Sequence, residues 1–180
     1  MEVPRHIVYF DLETQKGADE VGGWDNKHLM RMSIGITYDT LEGDYRPYEE
    51  DDAPALIESL KSADLVVGYN IINFDYAVLK RYTDFDFGRL PTCDMMVDLA
   101  KNLGFRPKLE SVASATLNEG KSAGGLDALR WFKEGEFAKI ALYCKEDVRI
   151  TKGVYEFGRA NKCVYLTDRA LGKRKVEVNW

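Results

Sequence analysis

Nitrogen and sulfur ligands for a metal are almost absent from this 180-residue chain. Its two histidines, His6 and His28, show neither H-x-x-H nor H-E-x-x-H spacing. Its three cysteines, Cys93, Cys144 and Cys163, stand far apart with no Cys-x-x-Cys pair. That excludes a zinc site of the usual kinds and a disulfide framework, and an odd count without a secretion signal fits reduced thiols. Long apolar runs are also lacking: the stretch Asp64-Leu-Val-Val-Gly68 is strand length and far too short to cross a membrane. The first residues lack the charged, apolar and small-residue succession of a signal peptide, so a soluble, cytoplasmic protein with no membrane partner is expected. No G-x-G-x-x-G follows the first strand, which disfavours a Rossmann fold. No internal repeat, low-complexity tract or linker is visible. Any metal held here must be held by oxygen.

What is present is a core. Apolar residues make up 45% and aromatics 12% of the chain, ample for packing, and the length suits a single domain spanning 1–180. The net charge of −5 at first opposes nucleic-acid binding, because phosphate contact favours a basic surface. Clustered carboxylates that hold divalent cations remove that objection, since the cations reverse the local field.

Strand patterns crowd the first half. His6–Phe10 reads as a buried strand ending in Asp11-Leu-Glu-Thr14. Met32–Tyr38 alternates as a second strand, and Asp44–Tyr48 pairs with it across a Glu42-Gly43 turn. Asp52 to Ala63 reads as a helix with Pro54 in its first turn, and Leu65–Tyr69 as a short strand. Helical spacing then covers Asn73–Tyr82, Cys93–Leu103, Leu109–Leu117, Leu126–Lys133 and the long stretch Glu136–Ala160. The tail Lys175–Trp180 alternates like a strand. This order predicts an α/β fold, a mixed sheet covered by helices.

Three places in this pattern concentrate acids. Asp11 and Glu13 sit two apart at a strand end, so both side chains leave one face and repel unless a cation lies between them. Hard divalent cations prefer such oxygen ligands, although a charged strand terminus at the surface is the plainer reading. Asp75 opens a helix, where Asn73 can cap and the helix dipole favours an acid. Asn70 reads equally as a turn residue and Phe74 as a core aromatic. Tyr143 and Asp147 are four apart on one helical face, in a stretch where Ile140, Leu142, Val148 and Ile150 mark a buried side. A buried side is a poor place for an unpaired carboxylate, unless Asp147 turns to Lys145, Arg149 or Lys152 at the surface.

Taken together, Phe10-Asp-Leu-Glu-Thr14, Gly68-Tyr-Asn-Ile-Ile-Asn-Phe-Asp75 and Tyr143-Cys-Lys-Glu-Asp147 resemble the three motifs of DEDD-superfamily 3′–5′ exonucleases. The second motif looks like that of family B DNA polymerase proofreading domains, and Y-x-x-x-D resembles the tyrosine (DEDDy) subclass. Some stand-alone and helicase-associated bacterial exonuclease domains have a similar layout. The resemblance implies an RNase H-like mixed sheet flanked by helices, with Asp11, Glu13, Asp75 and Asp147 as the acidic metal ligands. It implies two Mg²⁺ or Mn²⁺ ions about 4 Å apart that clamp the scissile phosphate. Asp11 would bridge both ions, Glu13 and Asp147 would complete one site, and Asp75 would support the other. Tyr143 would orient the attacking water by hydrogen bonding, its reference pKa near 10 making it a poor ionised base. Leu12 and Thr14 lie where family members touch the terminal nucleotide, Phe74 or Tyr69 can stack on a base, and Asn70 or Asn73 can bond the sugar or backbone.

The function so implied is removal of nucleoside 5′-monophosphates from 3′ ends of single-stranded nucleic acid, DNA favoured. A separate polymerase or helicase is the partner that proofreading or repair would need. The alternatives are a non-catalytic nucleic-acid-binding or scaffolding module of the same fold, and an exoribonuclease. No residue announces a contact to the 2′-hydroxyl that would settle the sugar. Gly120-Lys-Ser122 is too incomplete for a phosphate-binding loop, since Ala115 stands where its first glycine belongs. Lys173-Arg-Lys175 reads as a solvated basic turn, and Trp131-Phe132 as helix packing.

Overall fold

Burial along the first strand, β1 (Ile7–Thr14), alternates between two helical layers. Val8, Phe10 and Leu12 face one core and Ile7 and Tyr9 the other, as a two-residue period demands. A computed structural model of the chain describes residues 5–119, 124–168 and 172–180. Around β1 it builds a five-stranded sheet from β2 (Met32–Asp39), β3 (Asp44–Glu49), β4 (Leu65–Gly68) and β5 (Thr92–Asp94), in the order β3-β2-β1-β4-β5. β2 and β3 run antiparallel to their neighbours, and β4 and β5 continue parallel to β1. This is the mixed sheet flanked by helices that the motifs imply.

α1 (Ala53–Ser62) and α2 (Asp75–Leu79) cover the Val8–Phe10–Leu12 face, with Leu56, Leu60, Val78 and Leu79 fully buried. α3 (Met95–Leu103), α4 (Leu109–Leu117), α5 (Gly125–Glu134) and α6 (Phe137–Asn161) lie with the other face. A hairpin of β6 (Cys163–Asp168) and β7 (Gly172–Glu177) packs on α4, where the Thr116 hydroxyl bridges to the Tyr165 backbone. The three cysteines are free and buried. Among the described residues no helix is long and apolar enough to cross a membrane.

Several elements differ from their sequence patterns. β1 does not stop at Phe10: Asp11 pairs with Ile36 and Glu13 with Ile34, so the acidic pair stands inside a strand. Cys93 belongs to β5 rather than to a helix, and α3 starts only at Met95. Three residues are too few to display alternation against a helical background. β6 gave no distinct pattern, and the Lys173–Lys175 run is inside β7 rather than in a turn. Leu142 is 69% exposed, because the buried stripe of α6 follows Ile140, Tyr143, Cys144, Asp147, Thr151 and Val154 at helical spacing. α2 is a short helix whose N-cap is Phe74 with no side-chain cap bond, so the exposed Asn73 does not cap it. Gly120-Lys121-Ser122 lies outside the described residues.

Candidate metal centre

Tyr9 packs edge-on against Tyr155 of α6 with ring centroids 5.7 Å apart. Further along the same face of β1 come Asp11 and Glu13, while α6 runs back in the opposite sense and presents Asp147 and Tyr143. One carboxylate oxygen from each of Asp11, Glu13 and Asp147 lies within 4.8 Å of the others. Asp147 is 5% and Tyr143 8% exposed, so neither turns to the surface. The surface cations near Asp147 are engaged elsewhere: Arg149 pairs with Glu146 and Glu119, and Lys152 with Glu156.

The fourth acid is close but differently held. Asp75, 2% exposed at the start of α2, accepts the backbone N–H of Leu12 at 3.0 Å, and it lines one cleft together with Asp11 and Glu13. It stands outside the close group of three. Burial pushes its carboxyl up to about 8, the Leu12 bond opposing this and the charges of Asp94 and Asp147 adding to it. Desolvation raises the Tyr143 phenol as well, reinforced by Asp147, Glu13 and Asp11 and by a side-chain hydrogen bond with Asp147. Tyr143 is therefore neutral at any physiological pH. Burial likewise lifts the Cys144 thiol, which donates to the Asp11 carbonyl at 3.4 Å and to its carboxylate at 3.5 Å.

An all-oxygen donor group with three acids in mutual reach suits a hard divalent cation such as Mg²⁺ or Mn²⁺. The buried Asp75, its carboxyl pushed up by desolvation, fits the same cation. A positive charge beside it would offset the desolvation that now favours its neutral form.

The segment between β4 and α2 is shaped by a residue whose role the motifs did not reveal. Asp94, buried at the end of β5, accepts N–H bonds from Asn70 at 2.8 Å and Ile72 at 2.9 Å, and from Met96 and Val97 at the start of α3. Asn70 takes the left-handed conformation (φ 67°), which asparagine tolerates better than most residues. Its buried Oδ1 has no hydrogen-bond partner among the described residues. A Cβ on Gly68 would lie 2.3 Å from the Ile71 side chain, so the close approach at the strand end requires glycine.

Two clefts meet at the carboxylates. One, of about 520 Å³, includes Asp11, Asn70, Tyr143 and Asp147 with Arg106 and Lys108 from the segment before α4. The other, of about 400 Å³, includes Asp11, Glu13, Asp75, Phe74, Trp24 and Leu126. Leu12 and Thr14 line the second cleft although their side chains are largely buried, and the Thr14 hydroxyl donates to the Lys16 carbonyl at 3.0 Å. Tyr69 lines both clefts and donates to the Pro107 carbonyl at 2.8 Å. Phe74 is half-buried beside Trp24, and Asn73 lines neither cleft. Arg106, Lys108, Trp24 and Leu126 carry no motif, and only the fold brings them to the acids.

A solved family B DNA polymerase from the hyperthermophilic archaeon Pyrobaculum calidifontis matches this fold with a TM-score of 0.61. The match covers 87% of this chain at 16% identity. The chain spans 25% of that polymerase's length. At this identity the likeness is one of fold. No protein-family model matches the sequence, and a search of the curated proteins finds no match.

Proposed function

We propose that this chain is a metal-dependent 3′–5′ exonuclease that hydrolyses the last phosphodiester of single-stranded nucleic acid, DNA favoured, and releases nucleoside 5′-monophosphates. One observation carries the reading: acids from β1 and α6, 134 positions apart at Glu13 and Asp147, bring their oxygens within 4.8 Å at the junction of two open clefts. A strand and a helix packed for stability alone have no reason to bring two half-buried carboxylates against a buried one.

Asp11, Glu13 and Asp147 hold Mg²⁺ or Mn²⁺ in this reading, with Asp75 beside them; two ions are the number the motif resemblance implies. When bound, the cations supply Lewis-acid stabilisation of the phosphate and a more acidic water. Water forms a new P–O bond, the P–O3′ bond breaks, and the shortened strand's 3′ oxygen takes a proton. Tyr143, neutral and bonded to Asp147, positions the attacking water as a hydrogen-bonding group rather than as an anionic base. Asn70, whose Oδ1 has no partner among the described residues, faces the cleft as an acceptor for a sugar hydroxyl, and Arg106 and Lys108 bring positive charge toward the phosphates of the strand. Leu12, Thr14 and Phe74 line the space for the terminal nucleoside, with Asn73 a peripheral candidate. A separate polymerase or helicase is the partner such an activity would serve in proofreading or repair.

The test is degradation of 3′- and 5′-labelled single-stranded DNA and RNA with Mg²⁺, Mn²⁺ or EDTA, run beside Asp11→Ala. A 3′-end ladder that needs metal and falls by at least about 10²-fold in the variant is expected. No shortening of either polymer with either metal would overturn the reading.

A further inference from the structure

The β6–β7 hairpin has one covered edge and one open edge. On the covered side the Thr116 hydroxyl donates to the Tyr165 carbonyl and accepts its N–H, each at 2.9 Å. The Ser111 hydroxyl donates to the Thr167 carbonyl at 3.2 Å. The main-chain groups of Tyr165 and Thr167 therefore point away from β7. In an antiparallel ladder the residues directly opposite share that outward sense, and these are Lys175 and Lys173. Glu177, opposite Cys163, follows the same alternation, and its carbonyl accepts from Asn102 of α3 at 3.3 Å. Among the described residues nothing bonds the outward N–H or C=O of Lys173 or Lys175.

The side chains give this open edge a sign. Lys173, Arg174 and Lys175 follow one another in a chain of net charge −5, and Lys173 and Lys175 are exposed on one face. That face also carries Tyr165, with the Lys173 ammonium 4.6 Å above its ring. The other face is sealed, since Val164, Leu166 and Val176 lie in the core. Lysines on an edge guard it against its own copies, because a second β7 would set like charge against like. They leave it open to the opposite charge.

We infer that the free edge of β7 takes an extended acidic segment of a partner protein as an antiparallel third strand, its alternate acids facing Lys173 and Lys175. Neither the carboxylate group nor the clefts take part, so this surface stands whatever the chain hydrolyses. Main-chain bonds supply affinity, and the alternate acids supply selectivity. A nucleic-acid strand is the poorer occupant. Its phosphates accept from N–H groups but set negative oxygens against the carbonyls of Lys173 and Lys175, which a peptide's own N–H groups satisfy. Asn102 closes the edge at Glu177, so the added strand is short, about four to six residues.

The experiment uses the full chain and a fluorescent peptide of about six alternating Glu and Val residues, the length of an ordinary strand. Anisotropy is read for this peptide, for the same peptide with N-methylated Glu amides, and for a labelled oligodeoxythymidine. Hydrogen exchange at the Lys173 and Lys175 amides is followed alongside. The Glu–Val peptide is expected to bind and to slow exchange at both amides. N-methylation should weaken it roughly tenfold or more, and so should Lys173→Glu combined with Lys175→Glu. Equal binding of the N-methylated peptide to the wild type, or unchanged exchange at the two amides, would overturn the added strand. An oligodeoxythymidine that binds more tightly than the peptide and shields the same amides would overturn it too, giving the surface to nucleic acid.

Discussion

Tyr143 places a phenol among three carboxylates and donates to one of them, so its environment works against ionisation from every side. A group held this way acts by where it points a hydrogen bond. Tyr143→Phe keeps the ring that packs on Trp131, 6.1 Å away, and deletes only the hydroxyl. We expect kcat to fall about 10²-fold, the low end for a positioned proton-bearing group, with KM little changed. The pH–rate profile should show no inflection that belongs to Tyr143 in either protein. Single-turnover kinetics of the pair would check this, and equal rates would remove Tyr143 from the reaction. The acids themselves were visible in sequence, because D-x-E on a strand and Y-x-x-x-D on a helix each define a face. Asp94 and Trp24 were not. Asp94 acts through backbone N–H groups more than twenty positions away, and an exposed tryptophan looks in sequence like any core aromatic.

At the scale of elements, the β1–β2 connection that carries Trp24 is held down by one carboxylate at the end of β3. Glu50 accepts from Arg31 Nε at 2.8 Å, from Gln15 Nε2 at 2.7 Å and from the Tyr82 hydroxyl at 2.7 Å. Tyr82 in turn accepts the N–H of Met32 at 3.0 Å. Burial alone would raise the Glu50 carboxyl, but the bonds from Arg31, Tyr82 and Gln15 win and bring it down to about 2. A folded-state value below the ordinary 4.5 means stability that is present above pH 4.5 and lost as pH falls through about 2. The melting temperature of the wild type should therefore drop over that window more than that of Glu50→Gln, measured by calorimetry. Glu50→Ala should cost about 1–2 kcal/mol near neutral pH, from the Tyr82 and Gln15 bonds, the half-exposed Arg31 adding little. Parallel acid profiles for wild type and Glu50→Gln would discard the hub. The sequence carried most elements but not such ties. Leu109–Leu117 has the same limits in pattern and structure, because its apolar residues repeat at helical spacing between clear stops. β5 and β6 escaped: one is three residues long, and the other follows directly on α6 with only Lys162, in a left-handed turn, between them.

For the molecule as a whole, the candidate centre is a local cost inside an already negative chain, −5 in net charge. Asp11, Glu13 and Asp147 repel one another, and burial together with the charges of Asp94 and Asp147 pushes the Asp75 carboxyl up. The two large cores on either side of the sheet carry that cost: α1 buries Leu56, Ile57 and Leu60 on the face away from the group, and α6 buries Ile140, Val148, Ile150 and Val154 around Asp147. Folding and cation binding should then be coupled with opposite signs at one residue. Glu13→Gln removes one charge from the group at nearly constant shape, so without metal it should unfold about 2–4 °C higher than the wild type, the shift expected of about 1 kcal/mol in a chain this size. With Mn²⁺ at about 100 times its Kd, the wild type should gain about 2.7 kcal/mol, and Glu13→Gln most of that less. The two melting curves would therefore cross as metal is added. Calorimetry in EDTA and along a Mn²⁺ series reads this without any substrate. Curves that rise together, or a variant that is less stable at both ends, would mean that Glu13 serves the fold rather than a cation.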